Sequence, residues 1–195
     1  MNDLLIPLGA CFFVVTTFVV LGFVAVKMSN KAKASWKAVE EQTGLFYEHT
    51  GIYPKLSGRL HGVDTAVDVI TQQVASGSQY GSRSRAWTRV RAQLEDTPLI
   101  QVRVRQQQYD VEQHWQPVKT GDAAFDEKFE LFVAEHTPLE KALPQSVKEA
   151  LLAADPPVHI LNNVVLWTKL RVVRDPELLT KACESCAAVA AAFEQ

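Results

Sequence analysis

Three acidic residues in one ten-residue segment are the first candidates for chemistry in this chain. The segment reads TGDAAFDEKF and places Asp122, Asp126 and Glu127 close together. Carboxylates grouped in this way can bind a hard cation or act as acid and base in hydrolysis. The spacing is not that of a calcium-binding loop, however, and an Asp that follows a glycine commonly closes a turn. The sequence therefore favours a structural role, in which Asp122 caps the turn while Phe125 and Phe129 pack inward.

Two cysteines form the second candidate site. Cys183 and Cys186 make a CxxC pair inside an alanine-rich segment with the composition of a helix. A structural zinc site is tetrahedral, and the five histidines of the chain show no paired spacing that would supply its other ligands. A thiol–disulfide motif normally begins a helix, whereas these cysteines fall within one. The sequence therefore predicts two small buried residues, no metal site and no cofactor.

The sequence lacks the motifs of several common enzyme classes. It contains no GxSxG, no Walker loop, no GxGxxG and no HExxH. Its charge is nearly balanced, with 20 Lys and Arg residues against 22 Asp and Glu residues, which argues against a nucleic-acid-binding protein. A binding protein is therefore favoured over a catalyst. The alternative is a membrane-tethered hydrolase that uses the region of Asp122 and Asp126.

An arginine-rich pattern is the third candidate. Arg89 and Arg91 follow Trp87 at alternate positions, and Arg103 and Arg105 repeat the spacing after a turn at residues 95–98. Side chains alternate along a strand, so a hairpin of these segments would set all five residues on one face and the aliphatic residues on the other. Like charges on paired strands are destabilising unless something offsets them.

This charge can be offset in two ways. The first is solvent together with nearby acidic residues, for which the sequence offers Glu95, Asp110, Glu112, Glu130 and Glu135. The second is an anionic partner, either lipid headgroups or an acidic protein surface, and a tryptophan on the same face would suit a membrane interface. The candidate binding residues are Arg89, Arg91, Arg103, Arg105 and Trp87.

The chain that carries these sites begins with a long apolar segment. Residues 4–26 read LLIPLGACFFVVTTFVVLGFVAV and include no Asp, Glu, Lys or Arg. At about 1.5 Å per residue, a helix of this length reaches roughly 35 Å and can cross the hydrocarbon core of a bilayer. No basic residue precedes the segment, which disfavours a cleaved signal, and the residues before Cys11 match a lipidation box poorly. We therefore expect a retained membrane anchor.

Lysines on one side of the anchor predict its orientation. Four follow the apolar segment and none precedes it: Lys27, Lys31, Lys33 and Lys37. Cytoplasmic flanks of membrane helices carry an excess of Lys and Arg. The C-terminal domain is therefore expected in the cytoplasm.

Periodicity predicts the elements that follow the anchor. We expect a helical stalk over 31–43, strands at 55–62 and 63–73, a loop at 75–84, and a hairpin of strands 87–94 and 100–105. A strand at 128–133, a helix at 144–154, a hairpin of 158–161 with 164–170 and a last helix from Pro176 to about 193 complete the pattern. This order predicts an α+β fold with a mainly antiparallel sheet and two helices in the C-terminal half. The expected divisions are an anchor at 1–28, a juxtamembrane helix at 29–44 and one domain at 45–195.

The second half of the chain resembles a broad group of uncharacterised bacterial membrane-anchored proteins. The resemblance rests on the TGDxxFDxxF segment at 120–129, the helix SVKEALLAAD, the hairpin VHILNNVVLW and an alanine-rich final helix, and it covers residues 87–193. It implies architecture only, a β-α-β-β-α tail. The resemblance implies no catalytic residue. We separately expect a location in the bacterial inner membrane. The sequence as a whole thus predicts a single-pass membrane protein whose domain is a binding or scaffolding module.

Overall fold

The computed structural model describes residues 32–49, 51–75, 82–105 and 115–194. The predicted anchor at 4–26 and the middle of the predicted loop at 75–84 lie outside these residues. Within the part described, no helix is long and apolar enough to cross a membrane.

The described residues form nine strands and five helices. The strands are β1 (Phe46–Glu48), β2 (Lys55–Leu60), β3 (Val63–Ala75), β4 (Ser82–Gln93), β5 (Ile100–Val104), β6 (Gln116–Val118), β7 (Phe129–Val133), β8 (His159–Leu161) and β9 (Val164–Leu170). The helices are α1 (32–43), α2 (Ala123–Lys128), α3 (Leu139–Ala142), α4 (Gln145–Ala153) and α5 (Pro176–Ala191). The strands form one sheet in the order β1-β2-β3-β4-β9-β8-β5-β7-β6, and the named strands pair antiparallel. The predicted α+β class with an antiparallel sheet is confirmed.

The predicted hairpin of residues 87–94 with 100–105 is wrong. β4 pairs with β3 and β9, and β5 pairs with β7 and β8, so the β8–β9 hairpin lies between the two arginine-bearing strands. The sequence of β9 explains this insertion, because the run Val164–Val165–Leu166–Trp167 is apolar at consecutive positions. A strand of this kind suits the middle of a sheet better than its edge.

Other predicted elements hold with altered limits. The hairpin at 158–170 forms, with Asn162 at φ 53° in its turn. The last helix begins after Asp175, whose Oδ1 accepts hydrogen bonds from the N–H groups of Glu177 and Leu178 at 3.1 and 3.2 Å. α2 and α3 were not predicted, so the C-terminal half contains four helices in place of two. β4 begins at Ser82, within the predicted loop.

The core lies between one face of the sheet and α5. Inward-facing residues of neighbouring strands share a level in the register, such as Val67, Val90 and Trp167. They are buried at 0%, 0% and 5% exposure and meet Cys183 and Cys186 of α5 in the same core cluster. The face opposite α5 is called the outer face below.

The helix α1 belongs to this core and is not a free stalk. Trp36 and Val39 have 0% exposure, and Trp36 Nε1 donates to the carbonyl oxygen of Val173 at 2.9 Å. Val173 in turn donates its N–H to Thr88 Oγ1 at 2.8 Å, so the first turns of α1 lie near Thr88 of β4. The helix ends at Gly44, which has φ 73°. A chain that began after this helix would lack part of its core.

Candidate functional site: the outer face of the sheet

The four arginines lie on the outer face. Arg89 and Arg91 alternate with the buried residues of β4, and Arg103 alternates with the buried residues of β5. Two strands, β9 and β8, separate β4 from β5. At about 4.8 Å per strand, the two arginine sets are roughly 14 Å apart. They therefore form two separate clusters and not one continuous ladder.

The first cluster is centred on Asp68 of β3. Arg89 is its register partner and donates from Nε to Oδ1 at 2.9 Å and from Nη2 to Oδ2 at 2.7 Å. Arg91 Nη2 donates to the same Oδ2 at 2.9 Å. The hydrogen bond to Asp68 raises the pKa of Arg89 above its ordinary value. One carboxylate therefore serves two guanidinium groups.

The second cluster repeats this arrangement around Glu130 of β7. Arg103 is its register partner and donates from Nε to Oε2 at 2.8 Å, with a second contact from Nη2. Arg105 Nη1 donates to Glu130 Oε1 at 3.2 Å, and its Nε donates to the carbonyl oxygen of Asp126 at 2.8 Å. The centroid of the Phe132 ring lies 5.3 Å from the guanidinium carbon of Arg103.

Among the described residues, the first cluster holds two guanidinium groups and one carboxylate. The more exposed member is the second arginine of each pair, with 40% of the Arg91 side chain and 45% of the Arg105 side chain accessible. Glu130 was among the acidic neighbours suggested by the sequence, whereas Asp68 was missed. Asp68 alternates with the buried residues of β3 and therefore lies on the outer face, but only the β3–β4 register places it opposite Arg89.

A row of outer-face residues crosses the sheet at the level of Arg91. Phe46 pairs with Ser57, Ser57 with Ala66, and Ala66 with Arg91. Phe46 is 63% exposed. The small side chains of Ser57 and Ala66 help to form a shallow groove of about 420 Å³ whose border includes Arg91 and Gln93. Arg91 thus borders the groove, whereas the exposed Phe46 lies at the far end of the same row, and sequence analysis identified only the arginine.

Three buried polar atoms in the described structure have no hydrogen-bond partner, and all belong to outer-face residues. They are Trp87 Nε1, Arg91 Nε and Gln101 Oε1. Buried polar atoms are usually paired, and an unpaired one costs about 1–3 kcal/mol. Arg91 therefore has bonding capacity that its contact with Asp68 does not use. Trp87 is half-buried and pairs with Ile70.

A buried histidine lies between the two clusters. His159 of β8 has 0% exposure, and its Nδ1 accepts a hydrogen bond from the N–H of Val104 at 3.1 Å. Burial, with a smaller contribution from the Arg103 charge, lowers the pKa of His159 from 6.5 to about 4. The neutral ring is thus the stable form in the folded chain.

This histidine predicts a pH dependence of stability. Between about pH 6.5 and about pH 4, the unfolded chain binds a proton at His159 that the folded chain does not, so stability falls as pH is lowered. From pH 6.5 to about 5 this group should lower the free energy of unfolding by about 2 kcal/mol. Urea titrations across this range should show a loss of stability that is absent in His159→Asn. Asparagine is chosen because its amide oxygen can still accept the hydrogen bond from the N–H of Val104. Equal pH dependence of the two chains would contradict the assignment.

Both candidate aspartates of the acidic segment accept hydrogen bonds from neighbouring residues. Asp122 Oδ1 accepts from the N–H groups of Ala124 and Phe125 at 3.0 and 3.2 Å, and Oδ2 lies 2.7 Å from Lys148 Nζ. Asp126 Oδ1 accepts from the N–H and hydroxyl of Thr120 at 3.0 and 2.9 Å. The predicted capping role of Asp122 is confirmed.

These bonds also determine the ionisation of the two carboxylates. The contact with Lys148, followed by the bond from the Phe125 N–H, lowers the pKa of Asp122. The N–H of Thr120 makes the largest contribution to lowering the pKa of Asp126. A general acid requires a raised pKa, so neither group is suited to that role. No observation at this segment favours the hydrolase alternative.

The two cysteines are buried in the core as predicted. Burial raises the pKa of Cys183 to about 12 and holds that of Cys186 well above its ordinary value. Both thiols are free. Among the described residues, no group of three or more His, Cys, Asp or Glu side chains is arranged to bind a metal ion.

The fold and the outer face together define an α+β protein with one large antiparallel sheet and two arginine–carboxylate clusters. Comparisons with protein-family models, curated proteins and solved structures find no match to the chain.

Proposed function

We propose that this chain is a single-pass protein of the bacterial inner membrane, anchored by residues 4–26, whose cytoplasmic domain binds an acidic protein on its outer face. The anchor and its orientation are supported by the apolar run and by the lysines that follow it. The binding role is supported by the geometry of the outer face. No cofactor is required.

The observation that carries this proposal is that, among the described residues, Arg89 and Arg91 share the single carboxylate of Asp68 beside the groove. The second arginine of each pair is partly exposed, and Arg91 also borders the groove and shares an outer-face row with Phe46. Arginine and aromatic residues dominate the energetics of protein interfaces. An acidic side chain bound at Arg91, next to an apolar side chain on Phe46, would match this arrangement.

The position of α1 favours a protein over lipid headgroups at this face. The chain enters the domain near Thr88, where the pairing of β4 with β9 ends, and not beneath the outer face. Only four residues separate Lys27 from Ala32, so the five Cα-to-Cα steps between them reach at most about 18 Å. An anchor at 4–26 would thus bring the strand ends near the membrane and leave the outer face accessible from the side.

The test uses two arginines whose removal leaves no carboxylate unpaired. In the double variant Arg91→Gln/Arg105→Gln, Asp68 still pairs with Arg89 and Glu130 still pairs with Arg103. Removal of all four arginines would instead leave both carboxylates without these partners. The full-length chain in an uncharged detergent is titrated into a fluorescent glutamate-rich peptide at low salt. Two lost contacts of up to about 1 kcal/mol each should weaken binding by about tenfold.

A charge-matched variant provides the control. Lys141→Gln/Lys181→Gln removes the same charge from exposed helical positions, and binding should stay close to that of the unaltered chain. Raised salt should weaken binding of the unaltered chain, because the contacts are ionic. Equal loss in the two double variants, or no binding by the unaltered chain, would count against the outer face as the site.

A further inference from the structure

The paired strands β3 and β4 extend beyond the rest of the sheet. β2 pairs with β3 only as far as Val67, and β9 pairs with β4 only as far as Thr88, apart from a bridge between Trp87 and Arg171. Residues 71–75 and 82–86 continue as a two-stranded ribbon, from the pair Thr71–Ala86 to the pair Ala75–Ser82. The name ribbon is used below for these residues.

The ribbon projects from the end of the domain at which α1 begins. The first turns of α1 lie near Thr88, and Leu45, which follows the helix, lies against Gly58 at the level of Ala92. α1 therefore runs obliquely across the sheet with its N-terminus toward the ribbon. From Thr88 to Ser82 the strand covers about 20 Å at 3.3 Å per residue.

These lengths place the ribbon within reach of the membrane that the proposed anchor would occupy. The five residue steps from Lys27 to Ala32 span at most about 18 Å, and the three steps from Ala32 to Ser35 add about 4.5 Å of helix. The ribbon extends about as far in the same general direction. An anchored domain would thus bring the ribbon end close to the headgroups.

The charge of the ribbon matches an anionic surface. Its two strands include Arg83 and Arg85 and no acidic residue, and the whole stretch from residue 69 to residue 87 contains no Asp or Glu. The Arg85 side chain is exposed. A basic residue near an anionic leaflet contributes about 1 kcal/mol to membrane contact.

We propose that the ribbon contacts anionic lipid headgroups of the membrane that holds residues 4–26, with Arg85 as a binding group. This inference rests on the proposed anchor and is independent of the partner of the outer face. The ribbon, at one end of the domain, would then contact lipid, and the outer face would bind the acidic protein. The two arginine clusters then have no part in lipid binding.

Fluorescence quenching in nanodiscs tests this contact with the full-length chain. A fluorophore is attached at Gln73→Cys in the ribbon or, as a control, at Thr97→Cys beyond the opposite end of β4, in a chain that also carries Cys11→Ala. The two native cysteines that remain are buried. Nanodiscs contain phosphatidylcholine with or without phosphatidylglycerol, and a quencher is carried on the headgroups. We expect strong quenching at position 73 and little at position 97.

Charge variants show whether the contact depends on the arginine. With phosphatidylglycerol present, Arg85→Gln should lower the equilibrium constant for contact by about fivefold. Arg59→Gln, an exposed arginine at the opposite end of the sheet, should leave the contact unchanged. High salt should also lower the equilibrium constant for contact, because it screens the charges.

Three results would overturn the inference. Equal quenching at positions 73 and 97 would show that the ribbon does not face the membrane. If quenching at position 73 changes neither with lipid charge nor with Arg85→Gln, the ribbon is near the membrane but does not recognise anionic headgroups. Release of the full-length chain from membranes by alkaline carbonate would show that residues 4–26 do not anchor it in the membrane. In the first two cases the anchor and the outer-face proposal stand, so the failures are distinguishable.

Discussion

Trp36→Ala is expected to lower the free energy of unfolding of the domain by about 3–5 kcal/mol, the usual cost of deleting a buried large side chain. Trp36 has 0% exposure and packs in the main core, although it lies in a segment that sequence analysis interpreted as a stalk. The substitution also removes the indole N–H that bonds the carbonyl oxygen of Val173. Urea titration of the full-length chain in a mild detergent, followed by near-ultraviolet circular dichroism, measures the effect.

An exposed residue of the same helix serves as the control. Glu41 lies on the outer side of α1, and Glu41→Ala should change the free energy of unfolding by no more than about 0.5 kcal/mol. A chain that starts at Gly44 loses Trp36 and Val39 together and is expected to be unfolded. If Trp36→Ala unfolds at the same urea concentration as the unaltered chain, α1 is a separate stalk after all.

Phe129→Ala is expected to cost about 3–5 kcal/mol for the same reason. Phe129 begins β7 with 1% exposure, and its ring centroid lies 5.0 Å from that of the fully buried Phe125. Aromatic pairs at this distance add about 0.5–1.5 kcal/mol beyond the area that they bury. The large effect follows because the remaining strand and helix cannot collapse fully into the space left by the ring.

The same strand supplies a matched control. Phe132 lies on the outer face of β7, is half-buried and packs against the Arg103 guanidinium. Phe132→Ala removes the same number of atoms from the other face, and its cost should be less than half that of Phe129→Ala. Similar costs for the two substitutions would show that the TGDxxFDxxF segment does not form part of the core.

The local elements of the fold could be predicted from the sequence because their causes are local. Period-two patterns identify β3, β4 and β5, the Asn162–Asn163 turn identifies the hairpin that contains β9, and the Asp175–Pro176 pair marks the start of α5. The capping role of Asp122 also follows from its neighbours in the chain. α2 was missed because six residues give too short a pattern to distinguish a helix from a turn.

Within the candidate site, the sequence determined which residues share a face but not which residues meet. Alternation along β4 is sufficient to place Arg89 and Arg91 opposite Val90, because consecutive side chains of a strand point to opposite faces. Proximity in sequence suggested that β4 and β5 pair, whereas the more apolar β8–β9 hairpin occupies the position between them. Pairing depends on burial summed over the whole sheet, which no short segment specifies.

Tertiary structure alone decided the electrostatics of the outer face. Asp68 is 21 residues from Arg89 and Glu130 is 27 residues from Arg103 along the chain, yet each pair shares a register position. The row from Phe46 to Arg91 likewise joins four strands. The sequence by itself determined the apolar character of residues 4–26, the alternation of the strands and the helix caps, all of which arise from neighbouring residues. Strand order and register determined the two arginine–carboxylate clusters and the groove, because those contacts exist only when distant strands pair.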